Sequence, residues 1–283
     1  IASTLKVAPE KVKINTLFAG GSFGRRASKN SDYVLEAVQI AKANKSDAPV
    51  KLVWTREDDM RGGYYRPLSF NRIKAAIDAD GMPLAIHHVT VSKPVLANTA
   101  MGKMAVTKEG LDPSTIEGSA DMPYAIPNLR VEVHNTREGV PILWWRSVGH
   151  SITGFVTNGV IDELATLANK DPYEYRRELL KEKPRHLAVL ERAATAANWG
   201  QALPAGHFHG IALQESFGSI VAQVAEVSVS NGKARVHRVT CAVDCGLAVN
   251  PSQVVAQMES GILYGLSAAL DGEINIEGGR VVE

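Results

Sequence analysis

The chain has 283 residues, 45% hydrophobic and 22% charged, with a net charge of +1 and two cysteines, Cys241 and Cys245. That length suits one large domain or two ordinary ones, and the near-zero charge excludes a global basic field for nucleic acid or an acidic one for cations. Two cysteines exclude a disulfide-rich scaffold, an all-cysteine zinc site and a four-cysteine iron–sulfur cluster, and no apolar run approaches the ~18 residues of a membrane span.

The chain opens at IASTLKVAPEKVKI, which reads as a last helical turn, a short loop and a strand. It ends with a hairpin at Gly278-Gly279 whose second strand barely begins, so it reads as a piece of a longer protein. Val12 to Phe18 alternates and predicts a strand that runs into FAGGSFGRR, Phe18 to Arg26. The glycines there allow left-handed backbone or close approach to a ligand, and successive amides can form an anion-binding nest. Arg25 and Arg26 add forked donors suited to phosphate. Val34, Leu35, Val38 and Ala41 predict a helix over Tyr33–Ala43 capped by Ser31 or Asp32, and VKLVWTR predicts a strand ending at Arg56. Strand, glycine loop, helix and strand also begin a dinucleotide-binding unit. GGSFGRR, however, lacks the G-x-G-x-x-G spacing, and the loop lies too far from the helix.

EDDMRGGYYRP, Glu57 to Pro67, reads as a loop, and NRIKAAIDADGMPLAIHHVTVSK as a hairpin turning at Asp80-Gly81. Residues 94–127 show no period and read as an irregular segment crossing the surface or lining a site; NLRVEVHNTRE is a strand. PILWWRSVGHS, Pro141 to Ser151, is a second glycine loop, before a helix over Thr153–Ala168. Asp171-Pro172 starts the next helix, with Asp as N-cap and Pro in the first position, and a third runs from His186 to Asn198. Gly210 to Gly246 reads as one long hairpin with Asn231-Gly232 at its turn. Asn250-Pro251 starts a helix whose Gln257, Gly261 and Gly265 share a face, with Asp244 and Asn250 fixing the turn before it. Helices and strands mix without regular βαβ alternation, so the expected fold class is α+β, with mixed or antiparallel sheets flanked by helices and a division into 1–140 and 141–283.

His87 and His88 are adjacent on a strand and face opposite ways, so they cannot share a metal. His207 and His209 point the same way and make a weak two-ligand pair without a third. Cys241 and Cys245 read as buried free thiols.

Taken together, the motifs resemble the molybdenum hydroxylases, the xanthine dehydrogenase and aldehyde oxidase group. GGSFGRR resembles that family's Gly-Gly-Gly-Phe-Gly loop. WTREDDMRGGYYRP resembles the following segment, which ends in a substrate-side arginine. WWRSVGHS is similar to the second Arg-Gly loop over the metal, and VDCGLAVNPSQVVAQMESGILYGLSAAL to the D-x-G-x-x-x-N-P stretch and its helix. The Arg-Ser-Val-Gly-His-Ser and Glu-Asp-Asp…Tyr-Arg-Pro variants are most similar to the isoquinoline 1-oxidoreductase β-subunit type, which includes membrane-associated aldehyde dehydrogenases.

The resemblance implies a large subunit holding a molybdenum–molybdopterin cofactor, in its cytosine dinucleotide form. Such a protein would hydroxylate an N-heterocycle or oxidise an aldehyde with oxygen from water. Electrons would leave through a small subunit with two two-iron, two-sulfur clusters, with a cytochrome c as a further acceptor. It implies cofactor contacts at Gly20, Gly21, Ser22, Phe23, Gly24, Arg25 and Arg26, at Arg146, Ser147, Val148, Gly149 and His150, and at Gln257, with no side chain ligating the metal. Arg66 would orient the substrate carbonyl or stabilise charge on it. The family's general-base glutamate, in a Gly-Val-Gly-Glu-Pro loop, does not occur here, nor does its Gly-Gln-Gly cofactor loop, and Ser22 stands at the usual third glycine. The chain alone is therefore expected to be inactive, and the resemblance points to a periplasmic or membrane-associated parent, with a cytoplasmic one as the alternative. The residues by themselves also admit an ordinary glycine turn, an Arg66 paired with Glu57, Asp58 or Asp59, a helix-packing face at Gln257, a phosphate-binding module, or a non-catalytic partner-binding part. The cofactor reading requires residues 20–26, 146–150 and 257 to face one cleft.

Overall fold

The computed structural model describes residues 1–283 except 29, 45, 98, 100 and 138. The segment ahead of the first sheet departs furthest from expectation. Helix α1 (Ala2–Leu5) and a 3-10 turn at Pro9–Lys11 precede residues 12–19, which form no ladder with any described strand. The alternation of VKINTLF is real, but a strand needs a partner, and Ile14, Leu17 and Phe18 are 71%, 80% and 109% exposed. Helix α2 (Asp32–Asn44) forms as expected. VKLVWTR forms no strand; Trp54 instead donates its indole N–H to Glu36 of α2 at 2.8 Å. Arg56 opens helix α3 (Arg56–Gly62), where a loop was expected. Its cause is local. The Thr55 hydroxyl accepts from the Asp58 amide while the Asp58 carboxylate accepts from the Thr55 amide, a capping box.

The first sheet contains β1 (Ser69–Ile77), β2 (Pro83–Ser92) and β3 (Asn128–Asn135), with β2 in the centre. β1 and β2 are the expected hairpin. In its turn the Asp78 carboxylate accepts from the Asp80 and Met82 amides at 2.9 and 2.8 Å. β3 pairs parallel to β2, so the irregular segment between them is the crossover. Among its described residues it carries helix α4 (Gly102–Ala105) and a 3-10 turn at Pro113–Thr115; positions 98 and 100 lie outside the described residues, as does position 138 after β3.

Three helices form the middle layer: α5 (His150–Leu167), α6 (Pro172–Leu179) and α7 (Pro184–Ala196). Asp171 caps α6 as expected, accepting from the Tyr173 and Glu174 amides at 2.9 and 3.0 Å. The second sheet is a meander of β4 (His207–Ser216), β5 (Ser219–Ser230) and β6 (Lys233–Asp244), not one hairpin. The missed turn is Phe217-Gly218, with φ of 51° and 77°; its left-handed first residue is a phenylalanine, where Asn or Asp is the usual signal. Asn250 caps α8 (Pro251–Leu270), accepting from the Gln253 amide at 3.3 Å, and β7 (Ile276–Glu277) with β8 (Arg280–Val281) closes the chain around Gly278-Gly279.

The core lies where α5 and α7 meet the sheets. Ile161, Leu164, Leu190 and Ala193 of the helices pack with Ile86 of β2 and with Ile211, Leu213, Ile220, Ala222 and Val224 of the meander. β4 is an edge strand, and Asn158 of α5 covers that edge. Its amide oxygen accepts from the Leu213 N–H at 2.9 Å, and its amide nitrogen donates to the Leu213 carbonyl at 3.0 Å. The fully buried Arg176 of α6 ties the same helix down, reaching Asp162 at 2.6 Å and the Asn158 carbonyl at 3.1 Å. At the far end of β6, Asp244 accepts from Arg185 of α7 at 2.8 Å and from the Gly246 amide at 2.9 Å.

Two outcomes follow from these contacts. Asn158→Leu strands both polar groups of the buried Leu213 and should lower the unfolding free energy by about 3 kcal/mol, read as a fall in urea midpoint at constant m. The bonds from Arg185 and Gly246 hold the Asp244 carboxyl at about 2, against an ordinary 3.8. A depressed folded-state value stabilises the protein above the unfolded value and is lost as pH falls through the folded one. Asp244→Asn should therefore flatten the decline in urea midpoint between about pH 4 and about pH 2.

Candidate functional site

Two glycine loops more than a hundred positions apart, residues 20–26 and 141–150, lie against each other. The Arg146 N–H donates to the Phe23 carbonyl at 3.1 Å. Gly24 sits at φ 96°, and a Cβ there would run into the Trp144 carbonyl oxygen, so only glycine lets the two backbones meet. Phe23, Arg146 and Val148 all hold positive φ, at 52°, 42° and 53°, a conformation that costs a non-glycine residue of order 1 kcal/mol and needs its surroundings to maintain it. The segment after α3 joins them. The Tyr65 N–H donates to the Pro141 carbonyl, and the Leu143 N–H to the Tyr65 carbonyl, both at 3.0 Å. α8 joins at Arg146, whose guanidinium lies 4.6 Å from the ring centres of both Phe23 and Tyr264 and donates to the Ser260 hydroxyl at 3.3 Å. All four sequence motifs meet here.

The loops differ in what they leave free. The amides of Gly20, Gly21, Ser22, Phe23 and Gly24 donate to no acceptor among the described residues, and a Cβ at Gly20 would meet nothing within 4 Å. In the second loop Arg146, Val148, Gly149 and His150 donate to Phe23, Trp145, the Glu117 carboxylate and Ser147 respectively. Of the five residues expected to present amides there, only Ser147 has one free among the described residues.

The arginines differ too. Arg25 spends its fork internally, reaching the Asp32 carboxylate at 2.9 and 2.7 Å inside a ring of Tyr33, Trp54 and Tyr64. Burial pushes the Asp32 carboxyl up, but bonds from Arg25, Ser28 and the Tyr33 amide outweigh it and the net shift is downward. The Arg25 side chain is thus a strut and not an open phosphate donor. Arg26 is exposed. Arg66 avoids the acidic residues of α3; it donates to the Ser151 carbonyl at 3.3 Å and stacks on Trp145. Arg26, Arg66 and Arg146 have no carboxylate partner among the described residues, and the Arg146 Nε is buried without an acceptor. Gln257 is exposed on the face of α8 that carries Ser260, Gly261 and Tyr264.

The second loop is braced from behind. A Cβ at Gly149 would strike the Ser114 carbonyl oxygen, and burial pushes the Glu117 carboxyl above its ordinary value against the pull of the Gly149 amide. Val148 lines a narrow pocket together with Pro67, Trp144 and Ile152. The His150 Nδ1 accepts from the Gln214 amide nitrogen at 2.9 Å, which also donates to the Glu215 carbonyl, so the ring's proton sits on Nε2. Burial lowers the pKa of His150, although Asp121 and Glu215 pull the other way. Its ring walls a cavity of about 130 Å³ with Asp121, Gln214 and Phe217.

Tyr264, Ser260, Trp144 and Glu117 were not singled out from the sequence. Tyr264 and Ser260 could have been, since they stand seven and three positions after Gln257, on the same helical face. A Cβ added at Gly265, by contrast, would meet nothing within 4 Å beyond its own helix. Elsewhere His88 is buried against Asn71 while His87 faces Glu132, as adjacent strand positions require. His207 bonds Glu226 and stacks on His237, and His209 stacks on Trp199; the described residues hold no group of three metal-ligating side chains. Cys241 and Cys245 are free and half-buried.

Comparison with known proteins agrees with the motifs. A profile described as the molybdopterin cofactor-binding domain matches residues 1–180, and a second with the same description matches residues 158–283. The chain is 30% identical to isoquinoline 1-oxidoreductase subunit beta of Brevundimonas diminuta over 98% of its own length and 36% of the relative's. It is 31% identical to the membrane-bound, pyrroloquinoline-quinone aldehyde dehydrogenase of Gluconacetobacter polyoxogenes over 100% of its length and 40% of the relative's. The chain thus spans two fifths or less of these curated relatives. Among solved structures, quinoline 2-oxidoreductase from Pseudomonas putida 86 shares the fold at a TM-score of 0.53 and 18% identity, over 77% of this chain and 32% of that one. With two profile matches running its whole length and its motifs gathered at one place, the chain belongs to the molybdopterin cofactor-binding domains of the xanthine dehydrogenase and aldehyde oxidase family.

Proposed function

We propose that this chain is the cofactor-cradling part of the large subunit of a molybdenum oxidoreductase that hydroxylates an N-heterocycle or oxidises an aldehyde with oxygen from water, its stretches 1–140 and 141–283 each supplying one glycine loop. One observation carries the reading: five successive free amides at Gly20–Gly24 lie beside arginines that have no carboxylate partner among the described residues. Donors without acceptors beside unpaired cations suit a ligand rich in anionic oxygen and sulfur acceptors, and a molybdenum–molybdopterin in its cytosine dinucleotide form is such a ligand. When bound, that group supplies the two-electron oxidation chemistry.

The chain's own residues bind and orient. The amides of Gly20, Gly21, Ser22, Phe23 and Gly24, with that of Ser147, donate to the cofactor. Arg26 is the loop arginine open to a phosphate, whereas Arg25 holds the loop to α2. Gln257 offers its amide from α8. Val148, Gly149 and His150 shape the second wall. Arg66, stacked on Trp145, directs fixed positive charge toward a substrate carbonyl. The proton-accepting glutamate and the Gly-Gln-Gly loop would come from the rest of the large subunit. The electrons would pass to a small subunit with two two-iron, two-sulfur clusters and on to a cytochrome c. A second reading, a non-catalytic partner-binding part, draws on the exposed apolar side chains Leu17, Phe18, Leu247 and Val249.

The test is elemental analysis for molybdenum, with pterin fluorescence after acid oxidation, on the full-length polypeptide co-expressed with its genomic neighbours. The cofactor reading expects near-stoichiometric metal and pterin. Gly24→Ala, which collides with Trp144 at a left-handed position, should weaken retention about tenfold or more. A folded full-length protein that carries neither would sink the cofactor reading and leave the partner-binding one.

A further inference from the structure

We propose that Tyr264, with Ser260 beside it on α8, is a positioning residue that holds the two-loop cradle in shape by pinning the Arg146 guanidinium. The role assigned to Tyr264 rests on the cofactor reading above, whereas its packing does not. Arg146 grips Phe23 at both ends. Its amide donates to the Phe23 carbonyl at 3.1 Å, and its guanidinium stacks on the Phe23 ring at 4.6 Å. Tyr264 meets the same guanidinium at 4.6 Å alongside Phe23, its ring 5.0 Å from that of Phe23, so the three groups form one cluster. The Ser260 hydroxyl takes one donor at 3.3 Å, and Gly261 lies beside Arg146 Nη1, which would be 4.0 Å from a Cβ there.

Both gripped residues need such a grip. Phe23 and Arg146 stand at φ 52° and 42°, where a side-chain-bearing residue relaxes unless its surroundings hold it. No carboxylate among the described residues neutralises Arg146, so the negative faces of the two rings take that place. An exposed arginine would swing freely and let the first loop leave the second. A guanidinium held against two adjoining rings and the Ser260 hydroxyl cannot, and the free amides of Gly20–Gly24 then keep a fixed direction. α8 contributes no buried residue of its own, so its contact with the loops runs through this face.

The experiment is amide hydrogen exchange on the full-length protein, followed at the Arg146 amide with the β5 amides as reference. Tyr264→Ala should speed exchange at Arg146 about tenfold and leave β5 unchanged. Tyr264→Phe keeps the ring and should match the wild type. Arg146→Lys keeps the charge without the planar stack and should match Tyr264→Ala. An unchanged rate in Tyr264→Ala overturns the proposal. So does a Tyr264→Phe variant that behaves like the alanine, or acceleration that spreads equally to β5. Molybdenum retention by the full-length protein carrying the same substitutions reads separately. Faster exchange at Arg146 in Tyr264→Ala with full retention of metal shows a pin that the cofactor does not need, and removes the positioning role. The same exchange with loss of metal, restored by Tyr264→Phe, supports it.

Discussion

The contact between the Phe23 carbonyl and the Arg146 amide is the constraint on which the site depends. It brings together two loops that the chain order separates widely, and it is possible only because Gly24 has no side chain where the Trp144 carbonyl sits. Once the backbones touch, the rest is forced. Phe23 and Arg146 must adopt left-handed dihedrals, and the guanidinium is carried to the Phe23 ring and to α8. Such strain persists when packing overdetermines it. Here the packing comes from three directions: Tyr65 beside Pro141 and Leu143, Glu117 and Ser114 behind Gly149, and Tyr264 over Arg146.

The core supports this arrangement from one side. α5 begins at His150, directly after the second loop, so the position of the loop is the position of that helix. The helix is held by polar contacts in its first turns and apolar ones in its last. Thr153 bonds the Glu117 carbonyl, Asn158 covers the edge of β4, and Ile161 and Leu164 enter the core. A buried polar contact is directional, whereas apolar packing tolerates sliding. The polar end of α5 therefore fixes the register of the helix, and with it the loop, more narrowly than hydrophobic burial would.

Charge is distributed to match. Arg25 and Arg176 are paired with Asp32 and Asp162 and serve as struts. Arg26, Arg66 and Arg146 are left without carboxylates among the described residues, although the acidic residues of α3 follow closely in sequence before Arg66. Those acids are engaged by capping and by Arg56. In a chain with a net charge of only +1, three arginines around the two loops thus stand without a carboxylate among the described residues.

Local chemistry was legible in the sequence. The cap at Asp171, the hairpin at Asp80-Gly81, the start of α8 at Asn250-Pro251 and the periodic helices are decided within a few residues, and the structure keeps them. The four motifs and their family were legible for the same reason, since a glycine loop is written as consecutive letters. What failed were features that depend on a distant partner or on an unusual residue in a turn. Val12 to Phe18 and VKLVWTR alternate like strands, but pairing is a property of two segments. Phe217-Gly218 turns the chain although phenylalanine is a poor left-handed residue. Arg25 looks like a phosphate donor until Asp32 is seen to hold it. Only the tertiary structure decided that Arg146 would meet Phe23 and Tyr264, because which side chains share a space depends on how helices and sheets pack, and no spacing along the chain encodes that contact.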